Sequence, residues 1–194
     1  MNSFLNVTCM SLFIKSTKTN SPFFSITNTN HYPLISFQKS VFSKLFAPIL
    51  LSHHFNSRFF INFCSFSEII NSALIFEAGS TIKQKEYHES IMFENDSNVL
   101  ISNCIFSSMN LEIKNKSAII TFVPINIDNS LFQEIKGETG SCINSNSTLI
   151  LKYSDFKNNL GQNGGCFFIN SNSIHDTNIK YSIFYQNKAK YFSL

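Results

Sequence analysis

The segment Lys152-Tyr153-Ser154-Asp155-Phe156 is written a second time, as Lys180-Tyr181-Ser182-Ile183-Phe184. Fainter copies run back almost to the first residue, each with a phenylalanine two positions after a serine or cysteine. These anchor phenylalanines are Phe13, Phe42, Phe66, Phe106, Phe132, Phe156 and Phe184. The small residues that precede them are Ser11, Ser40, Cys64, Cys104, Ser130, Ser154 and Ser182. Self-similarity at a near-constant period is the signature of a repeat architecture.

The spacing of the anchors defines the length of one repeat. Consecutive anchors are 29, 24, 40, 26, 24 and 28 residues apart. The interval of 40 residues is too long for one unit, and it contains Ser90-Ile91-Met92-Phe93-Glu94-Asn95, which is similar to residues 182–187. We therefore assign Met92 as an additional anchor, so that 92–106 becomes a shortened unit.

Apolar residues alternate with polar ones ahead of most anchors, which is typical of a strand with one buried face. The alternating pairs are Ile35/Phe37, Phe59/Ile61, Val99/Ile101, Ile125/Ile127 and Leu149/Leu151. Two residues then intervene before the serine or cysteine, and this break in phase predicts a corner between two short strands. A third apolar patch follows, as at 166–169, and turn-forming Asn, Ser, Gly and Asp residues separate the patches.

Three short strands in each unit of about 24 residues leave no room for a helix. The pattern therefore predicts an all-β fold, a right-handed parallel β-helix of seven to eight coils. We expect one inward column formed by Phe42, Phe66, Phe106, Phe132, Phe156 and Phe184. We expect a single solenoid over residues 1–194, best defined over 125–194, weaker over 30–76 and irregular over 1–30 and 77–98. A leucine-rich repeat, which needs leucines at fixed spacing, and a β-sandwich are the alternatives.

Composition and charge exclude several classes of protein. Charged residues make up 14% of the 194 residues, and the formal net charge is +3. Lysines and arginines are scattered rather than aligned in a basic groove, so we expect no nucleic-acid partner. No stretch approaches the ~18 apolar residues of a transmembrane helix. Residues 4–14 lack the basic and continuous apolar regions of a secretory signal.

The five cysteines include no Cys-x-x-Cys pair, and no histidine stands at zinc-ligand spacing, so we expect no metal and no cofactor. Cys142 and Cys166 lie one repeat apart and are predicted to stack, at a separation that suits a disulfide but with an unfavourable dihedral angle. The pair His53-His54 is either a metal ligand or part of a solvated loop. Candidate glycosylation sequons begin at Asn6, Asn95, Asn115 and Asn146. A ladder of turn asparagines is expected at Asn95, Asn159 and Asn187.

The tetrads Phe156-Lys157-Asn158-Asn159 and Gly164-Gly165-Cys166-Phe167 resemble the repeat of the polymorphic outer-membrane protein family. Gly164 and Gly165 therefore join the anchors as structural repeat positions. The resemblance implies a right-handed β-helix at the cell surface or outside the cell, with an adhesive or antigenic role and no catalytic residues. The family's export signal and membrane anchor are not found in this sequence. Because the chain begins and ends within a repeat, we interpret it as a fragment of a longer protein, a decayed copy or an imperfect gene model.

The alternative function is a carbohydrate-active enzyme, a polysaccharide lyase or hydrolase on the same fold. Such enzymes need clustered carboxylates on neighbouring coils. The column before each anchor contains one acid, Asp155, and the column four residues before each anchor contains one, Asp128. The sequence therefore favours a non-enzymatic interaction module. Its partner is not identified by any motif, and the resemblance implies a host or cell-surface protein or a glycan. Because open terminal coils expose unpaired strand edges, the isolated chain is expected to aggregate.

Overall fold

A computed structural model describes residues 6–17, 21–26, 34–53, 57–76, 99–111, 116–169 and 176–191. The strands of the first four coils are Asn6–Met10 (β1), Phe13–Thr17 (β2), Phe24–Ile26 (β3), Leu34–Gln38 (β4), Val41–Leu45 (β5), Leu50–Ser52 (β6), Arg58–Asn62 (β7), Ser65–Ser67 (β8), Leu74–Phe76 (β9), Val99–Ser102 (β10), Ile105–Ser107 (β11) and Ile119–Thr121 (β12). The remaining strands are Ile125–Asp128 (β13), Leu131–Gln133 (β14), Lys136–Thr139 (β15), Ile143–Ser145 (β16), Leu149–Lys152 (β17), Asp155–Lys157 (β18), Leu160–Asn163 (β19), Phe167–Ile169 (β20), Thr177–Lys180 (β21), Ile183–Tyr185 (β22) and Lys188–Tyr191 (β23).

Strands from successive coils pair in parallel and form three long sheets. Sheet A has the order β1-β4-β7-β10-β13-β17-β21, and sheet B has the order β2-β5-β8-β11-β14-β18-β22. Sheet C contains β3-β6-β9-β12-β16-β20, and a short sheet D contains β15-β19-β23. Each coil therefore contributes one strand to sheet A and one to sheet B. The prediction of an all-β parallel β-helix is confirmed.

No segment of the described chain forms a helix that is long and apolar enough to cross a membrane.

Phenylalanine rings form a continuous column inside sheet B. Successive ring centroids along Phe42, Phe66, Phe106, Phe132 and Phe156 are 5.3, 4.6, 4.7 and 4.7 Å apart, with interplanar angles of 12° or less. These five side chains are at most 1% exposed. Phe184 extends the column at 5.0 Å from Phe156, but it lies on the last described coil and is 46% exposed. In-register pairing at ~4.8 Å holds the rings in offset stacking.

Phe13, which the sequence assigned as an anchor of the repeat, is not equivalent to the phenylalanines of this column. Strand β2 pairs Ile14, not Phe13, with Phe42, and the Phe13 side chain is 70% exposed. Leu12 occupies the small-residue position of this coil, because its backbone N–H donates to Ser40 Oγ at 3.1 Å. The motif at 11–13 is therefore one residue out of register. In a strand such a shift moves every side chain to the opposite face.

No additional coil separates Phe66 from Phe106, where the sequence assigned Met92 as an anchor. Strand β11 pairs directly with β8 and places Phe106 beside Phe66, so no coil lies between them. The interval of 40 residues is therefore one coil with a long connection between β9 and β10. Met92 belongs to that connection, 77–98, which lies outside the described residues.

A left-handed residue forms the corner between sheets A and B in every coil, as the phase break predicted. These residues are Ser11, Lys39, Phe63, Asn103, Asn129, Tyr153 and Tyr181, with φ between 43° and 55°. A second row of left-handed residues lies at the end of the sheet B strands or directly after them, at Lys44, Glu68, Ser108, Glu134, Asn158 and Gln186. This conformation is sterically unfavourable for non-glycine residues, so contacts with neighbouring groups must stabilise it.

The serine or cysteine column closes the first corner by hydrogen bonding. Ser130 Oγ donates to the Asp128 carbonyl at 2.9 Å and accepts from the Cys104 N–H of the preceding coil at 3.2 Å. Ser40, Ser154 and Ser182 make the same two bonds in their own coils. The column is small not only because space is limited but also because a short polar side chain satisfies backbone groups on two coils.

Gly164 and Gly165 shape the turn that leads into sheet C. Gly164 has a φ of +76°, which is accessible to glycine at little cost. A Cβ on Gly165 would lie 3.0 Å from the backbone of Lys188 in the next coil, so this glycine permits close approach of the two coils.

Asn159 and Asn187 form the expected turn ladder. Asn187 Oδ1 accepts the Asn159 N–H at 3.0 Å, and Asn187 Nδ2 donates to the Phe156 carbonyl at 2.8 Å. Asn159 Oδ1 likewise accepts the Ile135 N–H at 3.0 Å. Earlier coils bury apolar side chains at this position, namely Leu45, Ile69, Met109 and Ile135. Asn95 lies outside the described residues.

Replacing Phe156 with alanine should lower the free energy of unfolding by about 3–5 kcal/mol, because the ring fills an interior site between two stacked neighbours. Lys157→Ala is the matched control on the adjacent, outward position. Its ammonium pairs with Asp155 at 2.8 Å, with both side chains partly exposed, and such pairs contribute only about 0–1 kcal/mol. Urea unfolding of the two variants measures the difference. Equal losses of stability would contradict the inward assignment of Phe156.

Ser130→Ala should lower the free energy of unfolding by about 1–3 kcal/mol, because the buried Cys104 N–H loses its acceptor. Ser130→Cys should lower the free energy of unfolding less than Ser130→Ala, since Cys64 and Cys104 occupy the equivalent position in two other coils. Thermal unfolding of both variants tests the comparison. A Ser130→Ala variant as stable as the parent would show that the corner does not depend on this hydroxyl.

Candidate functional site

Outward side chains form two rows along the whole length of sheet A, and a third, shorter row contains Leu34 and Arg58. Row one consists of Thr8, Ser36, Phe60, Leu100, Asn126, Ile150 and Asn178. Row two consists of Met10, Gln38, Asn62, Ser102, Asp128, Lys152 and Lys180. Because the strands pair in register, each row places side chains from successive coils about 4.8 Å apart.

A shallow groove of about 390 Å³ lies over these rows in the first four coils, and we call it the A groove. It is lined by Thr8, Leu34, Ser36, Gln38, Phe60, Ile61, Asn62, Leu100 and Ser102. None of the described residues that line the groove is charged. Row two becomes charged beyond the groove, at Asp128, Lys152 and Lys180.

Hydrogen bonds hold the polar side chains of the A groove in place. Asn62 Oδ1 accepts from Ser102 Oγ at 3.1 Å and from Asn103 Nδ2 at 2.9 Å. Gln38 Nε2 donates to Ser36 Oγ at 3.1 Å within the same strand. Among the described residues, the Asn62 amide nitrogen has no acceptor, so it remains available as a donor. The groove therefore presents ordered amide and hydroxyl groups.

Phe60 is the aromatic residue of the A groove, and 43% of it is exposed. In row one it lies between Ser36 and Leu100. Its strand neighbours Phe59 and Ile61 point inward and are buried, so the ring is carried on a packed strand. An exposed aromatic side chain on a rigid strand provides a flat apolar contact surface.

The two acids singled out in the sequence do not meet. Asp155 lies on the outer face of sheet B, where it pairs with Lys157 at 2.8 Å. Asp128 lies in row two of sheet A, between Ser102 and Lys152. Within the described ranges, no three His, Cys, Asp or Glu side chains lie close enough to hold a metal ion. Of the His53-His54 pair, only His53 is described, and it is half-buried.

The cysteines are free thiols, and four of the five are buried. Cys142 and Cys166 stack on neighbouring coils, as predicted, because the Cys142 N–H donates to the Cys166 carbonyl at 3.0 Å. Cys64 and Cys104 occupy the same position of consecutive coils at the first corner, where the Ile105 N–H donates to the Cys64 carbonyl at 2.9 Å. The hydrogen bond from the Cys104 thiol lowers the pKa of Cys64 to about 7, and the same bond, together with burial, raises the pKa of Cys104. Burial is the main cause that raises the pKa of Cys142, and the hydrogen bond with Cys166 raises it further.

Tyr153 and Tyr181 form an exposed aromatic pair outside the A groove. Their ring centroids are 5.1 Å apart, and they occupy the left-handed corner of consecutive coils. The repeated Lys-Tyr-Ser motif contains both, although the sequence assigned them no role. The A groove itself was missed because row one depends on pairing β7 with β10 across the long connection 77–98.

The chain matches no protein-family model, no curated protein and no solved structure. The resemblance of its tetrads to the polymorphic outer-membrane protein repeat therefore stays a prediction. Function has to be argued from the chemistry of the outer rows.

Cys142 should resist iodoacetamide in the native protein and react once the protein unfolds. Its side chain is fully buried, and its raised pKa leaves little thiolate at pH 8. Mass spectrometry of native and denatured samples measures the labelling. Cys9, which is only half-buried in the first coil, is the internal control and should react earlier. Equal labelling of Cys142 with and without denaturant would contradict its placement.

Proposed function

We propose that this protein is a non-enzymatic binding module that recognises its ligand through the A groove, in an adhesive or antigenic role at a cell surface or outside the cell. The observation that carries the proposal is the chemistry of the groove. Four successive coils place uncharged polar side chains and one exposed phenylalanine side by side on a rigid sheet.

The scaffold favours recognition by side chains. Strands β4, β7 and β10 are each paired on both sides, so their backbone N–H and C=O groups are already used. A ligand on this face therefore meets side chains and no free strand edge. Because Asn62, Ser102 and Gln38 are held by hydrogen bonds, little conformational entropy is lost when they bind.

The polar side chains of the A groove can donate and accept hydrogen bonds. Amides offer donors and acceptors together, and hydroxyls act as either, so one groove can satisfy a ligand rich in hydroxyl or amide groups. Phe60 supplies the apolar contact that fixes orientation. Ligand sites commonly combine apolar walls with a few well-placed polar groups in this way.

The enzymatic alternative has weaker support from the same surfaces. A glycosidase of the common type needs two carboxyl groups flanking one bond, about 5–10 Å apart. Asp128 lies on sheet A beyond the groove, whereas Asp155 lies on sheet B and is paired with Lys157. Nothing in this arrangement brings the two acids to one reacting atom.

The proposed location of the protein is inferred from its repeat. The Phe-x-x-Asn and Gly-Gly tetrads resemble those of surface-exposed β-helical proteins, and two features of those tetrads have structural roles in this chain. Asn159 caps the turn after sheet B, and Gly164 forms the turn into sheet C. A cell-surface or extracellular location is the corresponding proposal, with a surface protein or a glycan as the partner.

A double variant, Phe60→Ala with Asn62→Ala, should reduce ligand binding at least tenfold, which corresponds to about 1.4 kcal/mol. The measurement is binding of purified protein to an array of glycans and host-surface proteins, followed by titration of each positive ligand. The matched control is Ser65→Ala with Ser67→Ala, which changes outward residues of the same coil on sheet B.

Three results of this experiment would contradict the proposal. The first is binding that the groove variant leaves unchanged, and the second is the absence of any array ligand that binds the parent protein. The third is cleavage of a bound glycan, which would favour the enzymatic alternative. Circular dichroism of both double variants verifies that the fold is intact, so that lost binding reports on the groove.

A further inference from the structure

We infer that the A groove binds a neutral, linear, β-1,4-linked glycan that lies along the solenoid axis with one sugar over each coil. This inference rests on the proposed function and specifies the ligand of the same site. Three properties of the groove carry it, namely its charge, the arrangement of its two rows and its repeat distance.

The charge of the groove selects an uncharged ligand. Among the described residues, none that lines the groove is acidic or basic, although Arg58 lies on the same face beside the lining residue Leu34. In row two, the charged side chains begin at Asp128, one coil beyond Ser102. A ligand with a charge on every unit would find no counter-charge in the groove, and desolvating those charges would cost free energy.

The two rows match the two kinds of surface on a pyranose ring. Row one provides Phe60 and Leu100 side by side, and row two provides Asn62 and Ser102 two residues further along the same strands. An equatorially substituted pyranose has apolar C–H faces and a rim of hydroxyl groups. Stacked on Phe60, such a ring directs its rim toward the amide and hydroxyl groups of row two, where Asn62 Nδ2 is an available donor.

The repeat distance of the coils favours a linear chain that runs along the axis. Successive coils are about 4.8 Å apart. Sugars in an extended β-1,4-linked chain follow one another at a similar spacing, so each coil meets one sugar. Neighbouring sugars are turned over relative to each other, so an apolar ring face lies over row one throughout, whereas the hydroxyl groups at the rim alternate from coil to coil. The four coils of the groove then accommodate about four sugars. A curved α-1,4-linked chain would leave the rows after one or two units.

Other macromolecules fit this face less well. An extended peptide that adds to a sheet needs an unpaired strand edge. Strands β4, β7 and β10 offer none, because each lies between two paired neighbours. Side-chain recognition of a hydroxyl-rich polymer requires no such edge.

The experiment is a titration of the protein with defined oligosaccharides, followed by calorimetry and by backbone amide NMR shifts. The probes are hexamers and dimers of β-1,4-linked glucose and of β-1,4-linked N-acetylglucosamine. α-1,4-linked glucose hexamer and a galacturonate hexamer serve as the curved and the charged comparison. We expect at least one β-1,4-linked hexamer to bind, at least tenfold more tightly than its dimer and than both comparison sugars.

Variants of the protein then test whether the hexamer binds in the A groove. Phe60→Ala should weaken binding of the hexamer at least tenfold, Phe60→Tyr should keep it within about threefold because the ring is retained, and Ser65→Ala with Ser67→Ala should have no effect. Amide shifts should concentrate in β4, β7 and β10.

The outcomes separate the inference from the proposed function. Failure of both β-1,4-linked hexamers to bind, equal binding of the α-1,4-linked or charged hexamer, or the lack of a length dependence would overturn the inference. If another array ligand then binds in a manner that depends on Phe60 and Asn62, the proposed function stands without it. If the hexamer binds equally well to the Phe60→Ala variant and to the parent protein, both the inference and the proposed function are wrong.

Discussion

In-register stacking of each coil on the one before is the constraint on which this molecule depends. Because parallel strands pair residue for residue at about 4.8 Å, a residue type that suits one coil has to suit the same position on its neighbours. The phenylalanine column meets this condition, since flat rings at 4.6–5.3 Å stack on one another without leaving voids. A bulkier or polar side chain in the middle of the column would leave two aromatic neighbours poorly packed, so the cost of one change is shared by three coils.

Stacking of the coils requires a sterically unfavourable left-handed residue at each corner, and side chains stabilise that conformation. At each corner the chain reverses its inward face after only two residues, which requires positive φ at residues as large as Phe63 and Tyr153. In every described coil after the first, a serine or cysteine follows the corner. Ser130, for example, donates to the strand-end carbonyl of its own coil and accepts an N–H of the preceding coil. The abundance of Ser and Asn in this chain thus has a structural use. Short polar side chains satisfy backbone groups at turns that no neighbouring strand can reach.

Sequence pattern predicted those parts of the fold that every coil repeats. The phenylalanine column, the corner after two residues and the asparagine ladder at Asn159 and Asn187 all follow from motifs in constant phase. The pattern failed where one coil departs from the others. Phe13 follows a serine at the usual distance, but the left-handed corner falls on Ser11 itself, so that Ile14 takes the inward position. Met92 lies in a connection whose local sequence imitates a strand, and only the pairing of Phe66 with Phe106 excludes an extra coil.

The same rule that builds the core also determines what kind of site this solenoid can carry. Outward residues that are distant in sequence, such as Phe60 and Leu100, become neighbours in a row because the strands that hold them are paired. A site of this kind extends along the axis and repeats its contacts, which suits a polymer better than a compact ligand. Row two of sheet A is divided along its length. Its side chains in the first four coils, Met10, Gln38, Asn62 and Ser102, are uncharged, whereas the row continues through Asp128, Lys152 and Lys180. No core requirement imposes that division, because these side chains point away from the packed interior. The change from neutral to charged along a single row is therefore a property of the surface, and it sets the neutral groove apart from the rest of sheet A.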